Sequence, residues 1–238
     1  IPTKINIGCG YDKRVGYLNI DSDPACQPDI LIINNDLSSL PQKHFEEAIA
    51  LDVLEHIPRN HMMTALFDWA NLIKLGGTLF VETSYIFGII DKMRNAGDFE
   101  TAHNWKVCLF GNQLHAGDFH HNGFTVPTLR TYLRSVGFLE KGVNIRDGWL
   151  IQARATKVGD WDHLESVEDY SEFLTQAYER LLGRRPEEWR FALAPTDPKS
   201  AQRRAEIKEL VCSEERLYYI GSRLEPIAPT TSIGPPVF

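Results

Sequence analysis

The sequence has few cysteines, no long apolar run and no excess of positive charge. Its four cysteines show no CxxC spacing, which disfavours a disulfide framework and a four-thiolate zinc site and predicts reduced thiols. No apolar run approaches the roughly 20 residues that span a bilayer, and no charged-then-apolar leader opens the chain. The net charge of −7 disfavours a nucleic-acid partner held mainly through its phosphates. These absences predict a cytoplasmic protein without a transmembrane segment.

Short apolar runs alternate with helical patterns in the first two thirds of the 238-residue chain. The predicted strands are Lys4–Gly8, Tyr17–Asp21, Asp29–Ile33, Glu47–Leu51, Gly77–Glu82, Phe138–Arg146 and Trp149–Ala155. Apolar residues at helical spacing predict helices over Arg59–Leu75 and Thr128–Gly137, and each is followed or closed by glycine. This alternation predicts an α/β domain over residues 1–157, with a doubly wound, mostly parallel, seven-stranded sheet.

The pattern changes after this domain. The stretch DYSEFLTQAYERLL has apolar residues at helical spacing, so residues 160–222 are predicted to form a small helical unit. Residues 223–238 are rich in proline and predict a tail without regular helix. The chain begins at Ile1 rather than methionine, which leaves open whether it is part of a longer protein.

The first predicted strand ends in a glycine turn, in the stretch KINIGCGY. Glycines at such a point indicate that something approaches the main chain closely. A dinucleotide-binding motif needs a third glycine, where this chain has Lys13, and the lysine signature of a P-loop is absent. The remaining interpretation is a nucleoside ligand that lies across the strand ends of an open α/β sheet.

A nucleoside site of this kind predicts polar groups at the ends of the following strands. Asp21 ends the second strand, where it could accept hydrogen bonds from the ribose hydroxyls, and Asp36 follows the third strand, near the base. A third contact is expected from LDVLEHI after the fourth strand. An aspartate after a strand is more often a turn or helix cap, but three such features in this order favour the site.

These residues resemble those of class I S-adenosylmethionine-dependent methyltransferases, and the resemblance covers residues 4–156. The resemblance rests on NIGCG, GYLNID, DVLEHIP and LGGTLFVE. The sequence is especially similar to bacterial methyltransferases of polysaccharide and glycan biosynthesis. The resemblance implies a Rossmann-like methyltransferase fold and S-adenosyl-L-methionine as cofactor. The cofactor-binding residues that it implies are Gly8, Cys9, Gly10, Asp21, Asp36, Leu37, Asp52 and Leu54.

The acceptor side is predicted to include LFGNQLHAGDFHHNGFT, which follows the fifth strand. Histidine suits proton abstraction from a hydroxyl, so the predicted catalytic residues are His120, His115 and Asp118, with His120 favoured by a DxHxxxF element of the related family. The same side chains could cap neighbouring elements or hold a divalent metal, although no metal is expected. The predicted substrate-binding residues are His121, Glu82, Tyr85 and Trp105.

The stretch FLTQAYERLLGRRPEEW, followed by CSEER, resembles a small helical module found beside bacterial cell-surface glycan enzymes. The module would be either a packing appendage or a surface for docking or self-association. Taken together, the resemblances imply O-methylation of a sugar hydroxyl in O-antigen or exopolysaccharide biosynthesis. Two alternatives stay open: a metal-dependent nucleotide-sugar glycosyltransferase that uses the DxD at Asp21–Asp23, and a non-catalytic cofactor-binding scaffold.

Overall fold

The computed structural model describes residues 1–192 and 200–226, which contain one seven-stranded sheet. Its strands are β1 Lys4–Ile7, β2 Leu18–Asp21, β3 Ile30–Leu31, β4 Phe45–Leu51, β5 Ile73–Ser84, β6 Phe138–Arg146 and β7 Leu150–Lys157. The order across the sheet is β3-β2-β1-β4-β5-β7-β6. Strands β1 to β5 pair in parallel, whereas β7 is antiparallel to both of its neighbours. The α/β class and all seven predicted strands are confirmed, and the sheet is mixed.

The prediction of double winding is wrong for the first half of the sheet. The connections at residues 8–17, 22–29 and 32–44, all within the described chain, contain a 3-10 turn at Pro24–Cys26 but no α-helix. Two of them are shorter than the dozen or more residues that a helical crossover usually takes. The hydrophobic core lies on the face that carries Ala48 and Val81. The opposite face of the sheet carries interacting polar side chains: Glu82 pairs with Arg146, and Gln152 donates to Glu82.

The described residues contain nine α-helices. They are α1 Met62–Leu72, α2 Ile86–Arg94, α3 Phe99–Phe110, α4 Val126–Ser135, α5 Asp162–Glu165, α6 Tyr170–Leu182, α7 Glu188–Ala192, α8 Ser200–Val211 and α9 Glu214–Gly221. Helices α1 and α4 confirm the two predicted helices of the α/β part, and both pack against the sheet. Helices α2 and α3 were not predicted. None of the described helices is long and apolar enough to cross a membrane.

The C-terminal helices pack into the same core as the sheet. Helix α8 contacts α1, α9 contacts α4, and α6 contacts both α8 and α9. Phe173, Tyr178 and Ile207 belong to the cluster of buried side chains that also contains the sheet residues. The described part of residues 160–222 contains helices α5 to α9, and Gly183 ends α6 with φ of 69°. The division of the chain at residues 157 and 160 stays a prediction, and residues 193–199 and 227–238 lie outside the described residues.

A buried arginine joins the C-terminal helices to the α/β part. Arg216 donates 2.6 Å to the carbonyl oxygen of Leu181, in the last turn of α6, and 3.4 Å to that of Ser135. Its guanidinium also lies over the rings of Trp161 and Tyr219. Burial lowers the pKa of Arg216 to about 10, which still leaves the side chain charged at neutral pH.

Arg216→Met is therefore expected to lower the free energy of unfolding by about 2 kcal/mol, because a buried carbonyl at the end of α6 loses its donor. Urea unfolding followed by circular dichroism measures the change. Arg185→Met is the matched control, since that side chain is 82% exposed. Equal unfolding midpoints for the two variants would contradict the assigned role of Arg216.

Candidate functional site

The carboxyl ends of β1 to β4 border a cavity of about 650 Å³. The strand order reverses between β1 and β4, which is where open α/β sheets form a crevice for ligands. Its lining includes Gly8, Asp21, Asn34, Leu37, Val53 and His56. Of the residues predicted to bind the cofactor, Gly8, Asp21 and Leu37 line this cavity, and their binding role stays a prediction.

The glycine turn after β1 is shaped by close packing. Gly8 has φ of +63°, and a Cβ atom there would lie 2.5 Å from Cγ2 of Val53, at the end of β4. The Gly10 N–H donates 2.7 Å to Oδ2 of Asp21, and the other carboxylate oxygen accepts from the Asp23 N–H at 2.9 Å. Asp21 is thereby fixed at the cavity wall. Cys9 is buried behind the turn, where burial, the nearby carboxylates and Cys26 raise the pKa of its thiol to about 11.

Two asparagines hold the loop between β1 and β2 without a helix. The side chains of Asn6 and Asn19 are hydrogen-bonded to each other at 3.1 Å. Asn6 also donates to the carbonyl of Asp12, while Asn19 accepts from the N–H of Arg14 and donates to Asp29. Hydrogen bonds from Asn19 lower the pKa of Asp29. This buried amide pair helps to fix residues 8–17, and with them the predicted Gly10, which does not line the cavity but donates to Asp21.

The turn after β3 contributes residues that the sequence did not indicate. Asn34 and Asn35 line the cavity, and both have left-handed backbone angles, with φ of 54° and 57°. Asparagine tolerates this conformation better than most residues, and that is the only signal that could have pointed to them. The predicted Asp36 is exposed and accepts from the Ser38 N–H at 2.8 Å, and hydrogen bonds from the Ser38 side chain and backbone lower its pKa. Asp36 therefore stands beside the cavity rather than in its lining.

The turn after β4 places Val53, His56 and Ile57 in the cavity wall. The predicted Leu54 is fully buried in the core, and the predicted Asp52 takes a left-handed backbone with φ of 53°. Neither side chain lines the cavity, so this turn contributes to the cavity wall only through Val53, His56 and Ile57.

The same turn contains a buried acid. Only 1% of the Glu55 surface is exposed; its carboxyl accepts 2.7 Å from the Thr83 hydroxyl and 3.4 Å from the Ser84 hydroxyl. Burial raises the pKa of Glu55 to about 7, and the charge of Asp52 acts in the same direction. Its backbone carbonyl accepts the N–H groups of His121 and Asn122. Glu55 thus joins the cavity turn to the histidine segment, a role that its sequence position in VLEHI did not reveal.

Two histidine rings meet beside the cavity. His120 and His56 have ring centroids 4.7 Å apart in an edge-on arrangement. Nδ1 of His120 lies 2.9 Å from the carbonyl oxygen of Cys108, and Nδ1 of His56 lies 3.2 Å from that of Phe119. A carbonyl can only accept, so each Nδ1 carries the proton and each Nε2 keeps a lone pair. Burial lowers both pKa values, and His56 lowers that of His120 further.

The other predicted members of the histidine segment have local hydrogen-bonding roles. The exposed His115 accepts from the Gly117 N–H at 3.2 Å. Asp118 lies 3.3 Å from the Leu114 N–H and 3.4 Å from the Asn112 amide. The His121 ring is exposed and stacks on Phe119. The structure therefore brings His120 together with His56 rather than with these three residues.

The remaining predicted substrate residues do not line the first cavity. Glu82 is buried on the polar face of the sheet, where it pairs with Arg146 and Gln152. Tyr85 and Trp105 line a second cavity, of about 550 Å³, which shares no lining residue with the first. Within the described residues, no group of three or more His, Cys, Asp or Glu side chains is arranged to hold a metal.

No family model matches the chain, and no curated protein matches it. Similar solved structures include S-adenosylmethionine-dependent methyltransferases from Mesorhizobium loti and Aquifex aeolicus, at 18% and 10% identity. The first likeness covers 64% of this chain and 90% of that chain with a TM-score of 0.46, and the second covers 65% and 81% with a TM-score of 0.45. Another is the Burkholderia thailandensis 1,6-didemethyltoxoflavin-N1-methyltransferase with bound 1,6-didemethyltoxoflavin and S-adenosylhomocysteine, 15% identical over 66% of this chain and 71% of that chain, with a TM-score of 0.43. Because these likenesses are distant, the activity of this chain has to be inferred from the residues of the site.

Proposed function

We propose that this protein is an S-adenosylmethionine-dependent methyltransferase that acts on a sugar hydroxyl in bacterial cell-surface glycan biosynthesis. The observation that carries the proposal is Asp21, fixed by the N–H groups of Gly10 and Asp23 at the wall of the 650 Å³ cavity. A carboxylate has about four acceptor positions, so two backbone donors leave capacity for the hydroxyls of a ribose. This is the group that a nucleoside needs at the end of the second strand.

The rest of the cavity fits the same ligand. Its volume lies within the range of small-molecule and cofactor sites, roughly 300–1,000 Å³. Ile32, Leu37 and Ile57 provide apolar walls for a purine ring, and Asn34 and Asn35 provide polar groups at the end of β3. When bound, S-adenosylmethionine would supply the methyl group, and these residues would hold and orient it.

The histidine pair supports transfer to a hydroxyl. His56 and His120 each keep a lone pair on Nε2, and their lowered pKa values keep both rings neutral at physiological pH. A neutral imidazole held by its Nδ1–H can take a proton from an acceptor hydroxyl as that oxygen is methylated. His56 lines the cavity and His120 contacts His56. A sugar hydroxyl as the acceptor, and a glycan pathway, are supported by the sequence resemblance.

The alternative of a metal-dependent glycosyltransferase has less support. Within the described residues, Asp21 and Asp23 belong to no group of three or more His, Cys, Asp or Glu side chains that could hold a metal ion. The resemblance of the C-terminal helices to a module beside glycan enzymes extends the proposal to docking or self-association through that part of the chain. Trp189 and Tyr218 are exposed there.

Asp21→Ala is expected to weaken binding of S-adenosylhomocysteine by about 2 kcal/mol or more, because the ribose hydroxyls lose a charged acceptor. Isothermal titration calorimetry on the folded variant measures the change. Asp12→Ala is the matched control, because that carboxylate is exposed and pairs with Arg14. Unchanged affinity in Asp21→Ala would remove Asp21 from the ribose site. Binding of a nucleotide-sugar with Mn²⁺, but not of S-adenosylhomocysteine, would replace the proposal with the glycosyltransferase.

A further inference from the structure

The second cavity, of about 550 Å³, lies between α2, α3 and the turn that joins β6 to β7. None of its lining residues lines the first cavity. A ligand in the second cavity would therefore contact none of the residues that line the cavity at Asp21.

The wall of this cavity is built rigidly. An added Cβ at Gly88 would lie 1.9 Å from the carbonyl oxygen of Gly148, so helix α2 rests directly on the β6–β7 turn. The Tyr85 N–H donates 2.8 Å to the carbonyl oxygen of Trp149. The rings of Trp149 and Trp105 meet at 5.4 Å with an angle of 70°. These contacts fix α2 and α3 around a depression of defined shape.

Two of its aromatic residues, Phe87 and Trp105, do not belong to the hydrophobic core, whereas Tyr85 packs against it. All twelve residues of α3 are described and none is buried, although the helix contains Trp105. Phe87 on α2 is 57% exposed. Large aromatic residues that remain accessible around a concave surface are typical of ligand sites, because their faces offer apolar contact at little entropic cost.

The polar lining defines the chemistry of the ligand. Asp91, Asn95 and Thr101 offer a carboxylate, an amide and a hydroxyl, which together donate and accept hydrogen bonds. Lys92 adds one cation, 5.5 Å above the Trp105 ring, while the carboxylate of Asp91 pairs with Arg94. The other two groups also have one partner each, since the Asn95 amide donates to the carbonyl oxygen of Asp91 and the Thr101 hydroxyl donates to Asp98. The second carboxylate oxygen of Asp91, the Asn95 amide oxygen and the Thr101 hydroxyl oxygen can still accept hydrogen bonds. A neutral ring with many hydroxyls therefore matches both the aromatic and the polar lining.

We propose that this second cavity binds a pyranose ring of the saccharide acceptor, with Tyr85, Phe87 and Trp105 against its apolar faces and Asp91, Asn95 and Thr101 on its hydroxyls. The identification of the ligand as the acceptor rests on the proposed function. The site itself rests on the cavity, and it holds its sugar without any residue of the cofactor cavity.

Saturation-transfer NMR with the methyl pyranosides of glucose, mannose, rhamnose and N-acetylglucosamine tests the site. At least one should show saturated ring protons with the wild-type chain, and the signal should fall at least about fivefold in Trp105→Ala. Asn95→Leu, which removes an amide at similar volume, should also weaken it. Trp189→Ala, on α7, is the matched control and should leave the signal unchanged, and circular dichroism checks that each variant folds.

Three outcomes would overturn the inference: no pyranoside is saturated, saturation persists in Trp105→Ala, or S-adenosylhomocysteine displaces the sugar. Calorimetry with S-adenosylhomocysteine on the same samples separates this inference from the proposed function. If S-adenosylhomocysteine binds and no sugar does, only the second site is wrong. If a sugar binds and S-adenosylhomocysteine does not, the saccharide site stands and the methyltransferase proposal fails.

Discussion

His120→Ala is expected to slow methyl transfer about a hundredfold or more while leaving the affinity for S-adenosylhomocysteine unchanged. The reason is its geometry: Nδ1–H is held by the carbonyl of Cys108, so Nε2 is available to accept the hydroxyl proton. The pKa of His120 is lowered, chiefly by burial, so the acid limb of the pH profile should lie below its usual value of 6.5. Transfer of labelled methyl groups to cell-envelope glycan fractions, measured from pH 5 to 8, reports both effects.

The matched control for this experiment is His163→Ala, a surface histidine on α5 that contacts Arg180. His56→Gln should be measured beside it, because the two site rings touch. A large loss in His56→Gln with full activity in His120→Ala would assign the base to His56 instead. An equal loss of cofactor affinity and of rate in His120→Ala would make His120 structural.

The wild-type protein is expected to lose about 3 kcal/mol of its free energy of unfolding between pH 4.5 and 7.5, and Glu55→Gln should remove this loss. In the unfolded chain this carboxyl ionises near 4.5, and burial raises its pKa in the folded protein to about 7. The folded state therefore binds the proton more tightly. Glu55 therefore makes its full contribution to the free energy of unfolding below pH 4.5, and this contribution is lost as the pH rises through about 7.

Glutamine keeps an acceptor for the Thr83 hydroxyl but has no charge to bury. The variant should therefore be more stable than the wild type at pH 8, and the two should converge near pH 4. Urea unfolding across this pH range measures the difference. Glu168→Gln, at an exposed position, should follow the wild-type curve. Parallel curves for Glu55→Gln and the wild type would show that Glu55 ionises normally in the fold.

The strands could be predicted from sequence because each is a short apolar run bounded by turn residues. Helices α1 and α4 could be predicted because each buries one face. Only α4 is followed by a glycine turn, at Gly137, whereas α1 ends at Leu72 and the chain continues directly into β5. Helix α3 could not, because it buries no residue and so has no amphipathic pattern to detect. Double winding was predicted because a parallel pair usually implies a crossover helix, whereas residues 8–17 cross without one.

The candidate site also contains some residues that could be predicted from sequence and others that could not. Gly8 and Asp21 could be found because glycine turns and strand-ending acids leave a clear residue signature. Asn34 and Asn35 line the cavity through a left-handed backbone, which a single sequence encodes only weakly. The pairing of His120 with His56 joins residues far apart in sequence, and it depends on the carbonyl of Glu55 holding the histidine segment in place.

The helix-free loop at residues 8–17 also determines which charges the first cavity can favour. In nucleotide-binding folds, a helix that starts after the first strand directs the positive end of its dipole at phosphate groups. Here the described residues between β1 and β2 form no such helix, and the Gly10 N–H is already given to the carboxylate of Asp21. The cavity wall is therefore electronegative at this point. It should discriminate against nucleoside phosphates and favour a nucleoside that carries a positive charge, as a sulfonium does.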